Sequence, residues 1–404
     1  MSAAASSSGA LDGLLVVDLS RVLAGPLCTQ MLADHGARVI KVEPPGGDET
    51  RRLGPPFDES GDAAYYSAIN RGKEAISIDL RLAEGRAVLE RLLARADVLV
   101  ENNLPGTMAR WGLGADEVLE RHPRLIYCSI SGFGADGPSG GLPGYDAVLQ
   151  ALCGLMSVNG HPATGATRVG IPLVDHLAGY VALSAILLAL QVRERSGRGQ
   201  HVEATLFDTA LSLLVPHAAN WLHSGATPQL LGSAHPNIAP YDKFAVADGE
   251  IFLGVVNDGQ FRRFCSQIDQ PELAQDPRFL TNRLRLQHLP ALREAIEAAL
   301  RDRAGEPLCE ALMRRGVPAA VVNSVPAALQ LAHARHRQSR VEAPGYVGLR
   351  SPMRLQGTPG QPGGAPPRFA QDRQAVLDWL GYDEAEAAEL ARLGAVPGHR
   401  EGLD

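Results

Sequence analysis

The chain has 404 residues, 45% of them hydrophobic and 21% charged, with a formal net charge of −7. This is soluble globular composition with length for roughly two to three domain-sized units, and it carries no basic excess pointing to nucleic acid or an anionic membrane. The five cysteines, Cys28, Cys128, Cys153, Cys265 and Cys309, are far apart, odd in number and without metal-ligand spacing, which suits a reducing cytoplasm, buried thiols, no structural disulfide and no metal site.

Residues 1–10 are rich in Ser and Ala, lack a basic start and an apolar core, and read as a disordered tail. From residue 11 to 200 strand-like and helix-like segments alternate. Leu14-Leu-Val-Val-Asp18 reads as a buried strand. Residues 26–34 read as a helix with Pro26 in its first turn and Gly36 as its stop. Arg38-Val-Ile-Lys-Val-Glu43 and Ala75-Ile-Ser-Ile-Asp79 are further strands. A helix over 82–95 and the strands Asp97-Val-Leu-Val-Glu101 and Leu125-Ile-Tyr-Cys-Ser-Ile130 follow. Continuous apolar strands in a β-α-β rhythm argue an α/β fold with a parallel sheet covered on both faces. The apolar run at 177–192 contains Gly179, Tyr180, Ser184 and Gln191 and is short for a membrane span, so it reads as a buried core helix. Residues 201–221 read as a linker. A smaller α+β domain is expected over 222–325, with a hairpin turning at Asp248-Gly249, helices near 258–268, 286–302 and 305–315, and a strand at 318–323. Residues 326–404 read as a linker, loose and Gly/Pro-rich over 345–367, then a return to the large domain through a helical stretch at 374–393.

In parallel α/β sheets ligands lie beyond the carboxyl ends of the strands. The loops at 20–25, 101–106 and 131–138 are therefore the candidate binding loops. No G-x-G-x-x-G follows the first strand, and neither G-x-x-x-x-G-K-[ST] nor H-E-x-x-H occurs, so nicotinamide, P-loop and zinc-peptidase chemistry lack their usual signatures. Asp175, in Gly170-Ile-Pro-Leu-Val-Asp175, has two readings: the cap of a buried helix, or a nucleophile kept ionised at that helix's N-terminus. Gly170 and Gly179 beside it would leave room for a substrate. Asn70-Arg-Gly-Lys73 sets the cations Arg71 and Lys73 at a turn, either a solvated turn or an anion clamp. Arg110, after the loop of Asn102, has the same two readings. His161, His176, His217, His223 and His235 show no metal-pair spacing.

Several segments together resemble the class III CoA-transferases, the formyl-CoA transferase and carnitine CoA-transferase group that includes α-methylacyl-CoA racemase. They are Asp18-Leu-Ser-Arg-Val-Leu-Ala-Gly-Pro26, residues 32–43, Asn70-Arg-Gly-Lys73, Ser131-Gly-Phe-Gly134, Gly144-Tyr-Asp146, Arg195-Ser-Gly-Arg-Gly-Gln200 and His235-Pro-Asn-Ile-Ala-Pro-Tyr241. The resemblance implies a Rossmann-like large domain built from both chain ends, with the smaller domain inserted between them. It also implies an interlocked homodimer that uses coenzyme A thioesters and carboxylic acids as substrates, with no permanently bound cofactor. It implies that Asp175 attacks the donor thioester to form an acyl-aspartyl anhydride, that the CoA thiolate returns to form an aspartyl-CoA thioester, and that the acceptor carboxylate then takes the CoA. On the same basis Val22 and Ala24 match a first CoA-binding loop, Asn102 a second, Arg110 the basic residue after it, and Tyr145 a supporting tyrosine near the nucleophile.

The chain departs from the pattern in places. Glu101-Asn-Asn-Leu-Pro-Gly106 lacks the aromatic that stacks on the base in that loop. Leu23 stands where formyl-CoA:oxalate enzymes carry glutamine, which argues against oxalate. Residues 232–240 replace a run of glycines in the small domain. An acyl-CoA racemase or epimerase needs an acid/base pair about the α-carbon, and its histidine falls at Tyr145, a weak base near neutral pH; His161 or His176 would have to substitute. A CoA-thioester-binding protein without turnover is the other alternative. The donor and acceptor stay open: succinyl-CoA is a family-level expectation, and Arg21, Arg71 or Arg168 could hold a distal carboxylate.

Overall fold

A computed structural model describes residues 9–398. Most of the tail expected at 1–10 lies outside the described residues, whereas Gly9 and Ala10 lead into a turn that the Asp12 N–H closes on the Gly9 carbonyl at 3.2 Å. The chain forms two compact units. One comprises Met1–Cys153, Gly170–Leu213 and His333–Asp404, the other Gly154–Val169 and Leu214–Ala332.

The first unit is built on a six-stranded parallel sheet. Its strands are β1 (Leu15–Asp18), β2 (Arg38–Glu43), β3 (Glu74–Ser77), β4 (Val98–Glu101), β5 (Ile126–Ser131) and β6 (His201–Thr205). Their order is β3-β2-β1-β4-β5-β6, the doubly wound arrangement that places ligands where the order reverses, here between β1 and β4. Every residue of β1 and β4 is buried, which is why both read as continuous apolar runs. Six helices of this unit matter for the site: α1 (Ala24–Asp34), α2 (Ala64–Ala68), α3 (Ala83–Leu93), α4 (Asp146–Leu152), α5 (Leu173–Ser196) and α6 (Leu206–Ser212). The C-terminal segment closes one face. Val376, Leu377, Leu380, Ala387 and Leu390 pack into the same core as Val88, Leu89 and Leu92 of α3, and the Asp372 carboxylate accepts the Ala75 N–H at 2.8 Å.

The structure differs from the sequence expectations in four places. The stretch 201–221, expected as a linker, supplies β6 and α6; β6 is exposed at its start and buried only at Ala204 and Thr205, so its sequence lacks an apolar run. Residues 154–169 belong to the second unit, although nothing in their composition separates them from the first. The helix expected over 374–393 is two helices, Arg373–Leu380 and Glu384–Arg392, broken at Gly381 with φ 86°. α5 is long and apolar enough to cross a membrane yet is only half buried. Val174, Ala178, Ala182, Leu183, Ile186 and Ala189 form its buried stripe, while Val181, Leu187, Leu188 and Val192 stay exposed.

The second unit holds an antiparallel sheet of β7 (Tyr241–Val246), β8 (Gly249–Gly254) and β9 (Ala319–Val321), with β8 in the middle. Helices Asp258–Gln267, Leu289–Leu300 and Gly305–Arg314 close over a core that includes Phe244, Ile251, Phe261, Phe264 and Leu292.

Candidate active site

The site forms where β1, β4 and β5 end. Asp18 closes β1 as a fully buried carboxylate. Its Oδ2 accepts Thr29 Oγ1 at 2.6 Å and Lys73 Nζ at 3.0 Å, and its Oδ1 accepts the N–H and hydroxyl of Ser20. Burial works against this charge, but Lys73 and Lys41 outweigh it and hold the Asp18 carboxyl at about 2. Lys41 Nζ reaches the Ser20 carbonyl and Asp48 Oδ2, both at 2.9 Å. Asp48 Oδ1 in turn accepts the Val22 N–H at 3.3 Å. This buried set of alternating charges fixes the loop after β1 in an uncommon shape: Val22 has φ 68°, a left-handed conformation that costs a β-branched residue about 1–2 kcal/mol. The loop then enters α1, whose first turn has no side-chain cap.

The second loop is pinned to the first. Asn102 Oδ1 accepts the Arg21 N–H at 2.8 Å, and its Nδ2 donates to the Arg21 carbonyl at 2.7 Å. The third loop folds back on itself at Gly132 and Gly144. A Cβ on Gly132 would lie 2.9 Å from the Gly144 Cα, so only glycines allow this crossing, which delivers Tyr145, 65% exposed, to the start of α4.

Asp175 is half-buried in the first turn of α5. It is not the helix cap; that position is Pro172, which offers no side-chain acceptor. The acceptor is Asp146, from the start of α4, whose Oδ2 takes the N–H of Val174 at 2.7 Å and that of Asp175 at 3.3 Å. Burial, and then the charge of Asp146, push the Asp175 carboxyl up to about 7. Gly179, one turn further on, makes room for protein and not for substrate: a Cβ there would stand 2.7 Å from the Ala24 carbonyl oxygen. That close approach of α5 to α1 sets Asp175 beside the loop of Val22. Tyr65 on α2 reports the same field, its phenol pushed up to about 12 by burial and then by Asp175, Asp146 and Asp48.

Val22, Ala24, Asn102, Tyr145 and Asp175 thus line one cavity of about 270 Å³. Arg110 does not; it is exposed and donates to Thr107 Oγ1 at 3.0 Å. The turn cations are also elsewhere, and the expectation that they clamp an anion is corrected by their burial. Arg71 makes a two-pronged pair with Asp34 and donates to the Leu349 carbonyl at 2.7 Å. Lys73 Nζ is spent on Asp18, Asn70 Oδ1 at 2.7 Å and the Pro26 carbonyl at 2.9 Å. His161 lies in the second unit, and His176 turns its Nδ1 to the Pro172 carbonyl at 3.0 Å. A second cavity of about 410 Å³ shares Arg21, Glu49 and Asn103 with the first and adds Arg52, Arg81 and Trp111. Asp146, present in the sequence motif Gly144-Tyr-Asp146, takes a role at the site only through the fold, as do Tyr65, Arg52 and Arg81. Among the described residues no three His, Cys, Asp or Glu side chains converge as a metal site.

A desolvated carboxyl raised to about 7 and facing a cavity at the strand ends is equipped, in its ionised form, to attack an electrophilic carbonyl. Comparison with known proteins gives this chemistry a context. The sequence profile of CoA-transferase family III matches residues 11–373. The chain is 41% identical over 378 residues to a succinate–glutarate CoA-transferase of Agrobacterium fabrum, covering 91% of this chain and 94% of that one. It is 33% identical over 401 residues to the human succinyl-CoA:glutarate CoA-transferase, covering 96% and 90%. Among solved structures it resembles a CaiB/BaiF family protein from Brucella suis, with a TM-score of 0.84 and 39% identity over 92% of this chain and all of the other.

Proposed function

The chain belongs to CoA-transferase family III and is an enzyme of CoA transfer, and from this premise we propose that it passes CoA from succinyl-CoA to a small dicarboxylic acid by way of Asp175. An Asp175 oxygen forms a bond to the thioester carbonyl carbon, the C–S bond breaks, and the electron pair leaves on the CoA sulfur as thiolate. The thiolate then attacks the aspartyl carbonyl of the anhydride and releases the donor acid as its carboxylate. The acceptor carboxylate attacks the aspartyl thioester, forming a new anhydride and thiolate. Attack of that thiolate on the acceptor acyl carbon yields the new acyl-CoA and restores Asp175. Each step exchanges one activated acyl bond for another, which is how covalent catalysis divides a difficult exchange into easier ones.

The observation that carries the reading is Asp175 itself, half-buried at the wall of the cavity with its carboxyl pushed up to about 7. The first turn of α1, free of a side-chain cap, supplies backbone donors near the cavity for a developing oxyanion. Val22, Ala24 and Asn102 would border the thioester end of CoA, and Tyr145 would cover it. Arg52 and Arg81 in the adjoining cavity suit the phosphates of CoA. A tyrosine where a racemase has histidine, with His176 facing a backbone carbonyl, favours transfer over α-proton exchange.

Succinyl-CoA as donor rests on the names of the relatives. Of the three candidate arginines for a distal carboxylate, Arg71 is committed to Asp34 and Arg168 donates to the Val169 carbonyl at 3.1 Å. Arg21 lines the cavity, paired with Glu49 at 2.9 Å, and is the residue we assign. The exposed apolar side chains of α5, with Leu188 69% exposed, support a homodimer that covers them, and five free, buried thiols suit a cytoplasmic setting. The test is a panel of succinyl-CoA with glutarate, mesaconate, citramalate or oxalate, read by mass spectrometry of the CoA esters. A new dicarboxylyl-CoA is expected with at least one acceptor. Absence of exchange with every acid would refute the substrate assignment, and exchange of the α-proton of a 2-methylacyl-CoA without an acceptor would favour racemisation.

A further inference from the structure

The nucleophile's surroundings contain a second carboxylate with no step of its own in the reaction above. We propose that Asp146 is the positioning residue for Asp175: one of its oxygens takes the two backbone N–H groups at the start of α5, fixing the nucleophile's backbone while setting a second negative charge beside its carboxylate. The proposal rests on Asp175 as the acylated residue.

The geometry is specific. Val174 and Asp175 donate to the same oxygen, Asp146 Oδ2, at 2.7 and 3.3 Å. The other oxygen, Oδ1, accepts Gln150 Nε2 at 2.6 Å. Asp146 is 6% exposed, so a buried carboxylate joins the beginnings of two helices that lie 28 and 29 residues apart in its two contacts. A helix start normally offers its free N–H groups and the positive end of its dipole to whatever anion lies nearest. Here Asp146 occupies both donors. The Asp175 carboxylate therefore does not receive those two hydrogen bonds, and it lines the cavity with a like charge close by.

Two consequences bear on catalysis. A carboxylate held in this way binds protons more strongly and is the better nucleophile when ionised, following Brønsted behaviour. Acylation also removes the charge: the Asp175 oxygen joins the acyl carbon and the negative charge departs on the CoA sulfur. Repulsion from Asp146 is thereby relieved in the acyl-enzyme, which favours its formation relative to the free carboxylate. Fixing the backbone of Val174 and Asp175 serves the attack itself, because a displacement of about 1 Å costs about a hundredfold in rate.

The other ionisable groups around Asp175 are Tyr145 from the α4 cap and the Arg21–Glu49 pair, which line the cavity, Tyr65 from α2, and its chain neighbour His176. Asp208 of α6 is held by Thr205 at 2.6 Å. None of these raises the Asp175 carboxyl by its charge as Asp146 does, second to burial.

The test uses Asp146→Asn and Asp146→Ala in the full chain, with Asp175→Ala beside them. Asparagine keeps an oxygen for the Val174 N–H and removes the charge; alanine removes both. The acid limb of the kcat/KM profile for CoA transfer should move down by about one pH unit in Asp146→Asn. In Asp146→Ala the limb should move as well, with kcat lower by a further factor of about ten while KM for the acyl-CoA stays within about threefold. Thermal unfolding from pH 5 to 8 reads the Asp175 titration without turnover and decides the matter if either variant is too slow to assay: the fall of stability with rising pH should be smaller in both. An unmoved acid limb and an unchanged pH dependence of unfolding in Asp146→Asn would overturn the inference, as would a wild-type kcat in Asp146→Ala. Retained transfer in Asp175→Ala would instead overturn the covalent reading on which it rests.

Discussion

Replacing Asp175 with asparagine should stabilise the fold, and by an amount that depends on pH. The carboxyl is pushed from its ordinary 3.8 to about 7 by burial and by Asp146. Between those two values the native state holds a proton that the unfolded chain has released, so native stability falls as pH rises from about 4 to about 7 and is level above that. At 1.36 kcal/mol per unit the full effect is about 4 kcal/mol; Asp175 is half-buried beside an open cavity, and solvent screening reduces this to about 2 kcal/mol. Asparagine is nearly isosteric and carries no charge, so Asp175→Asn should unfold a few degrees above wild type at pH 8 and at about the same temperature at pH 4.5. Differential scanning fluorimetry across that range measures the difference directly. An Asp175→Asn variant whose advantage is equal at both pH values, or one less stable than wild type at pH 8, would show that the carboxylate is neither held in a hostile field nor activated by one.

Three further substitutions probe the frame around it. Lys73→Met should destabilise by about 3–5 kcal/mol, because it strips a partner from the buried Asp18; urea titration measures it, and an unchanged midpoint with a raised KM for CoA would restore the clamp reading. Val22→Gly should stabilise by about 1 kcal/mol through relief of the left-handed strain while lowering kcat/KM about tenfold through a loosened loop, a split visible by comparing unfolding with turnover. Gly179→Ala should cost about 1–3 kcal/mol by forcing α5 away from the Ala24 carbonyl, with a loss of transfer that added substrate does not rescue.

What the amino-acid order revealed, and what it hid, follows from the range of the interactions involved. β1 and β4 were readable because strands buried on both faces must be apolar throughout. β6 was not, because its first three positions are open and read as polar loop. The turn at Arg71 and Lys73 looked like an anion clamp because two adjacent cations carry no local mark of their partners. Asp34 and Asp18 stand 37 and 55 residues away, and only the sheet brings them in. The two readings of Asp175, cap or nucleophile, missed the third party in the same way: the acceptor for the first free N–H groups of α5 is Asp146, 28 and 29 residues upstream of its two donors, and it reaches α5 only after α4 has folded across. Gly179 was noticed as small, but what its smallness admits is the backbone of α1. The family resemblance located Val22, Ala24, Asn102, Tyr145 and Asp175, which line one cavity; it did not supply the charges behind them.

Transfer by way of Asp175 requires that its carboxylate become covalently attached to CoA. The most direct test is to mix the enzyme with succinyl-CoA in the absence of an acceptor, quench in acid within seconds, digest, and sequence the modified peptide by mass spectrometry. The expected result is a peptide heavier by CoA less one water, with the adduct on Asp175 and converted to a hydroxamate by hydroxylamine. CoA exchange proceeding with no adduct on Asp175, or with the adduct on another side chain, would contradict it.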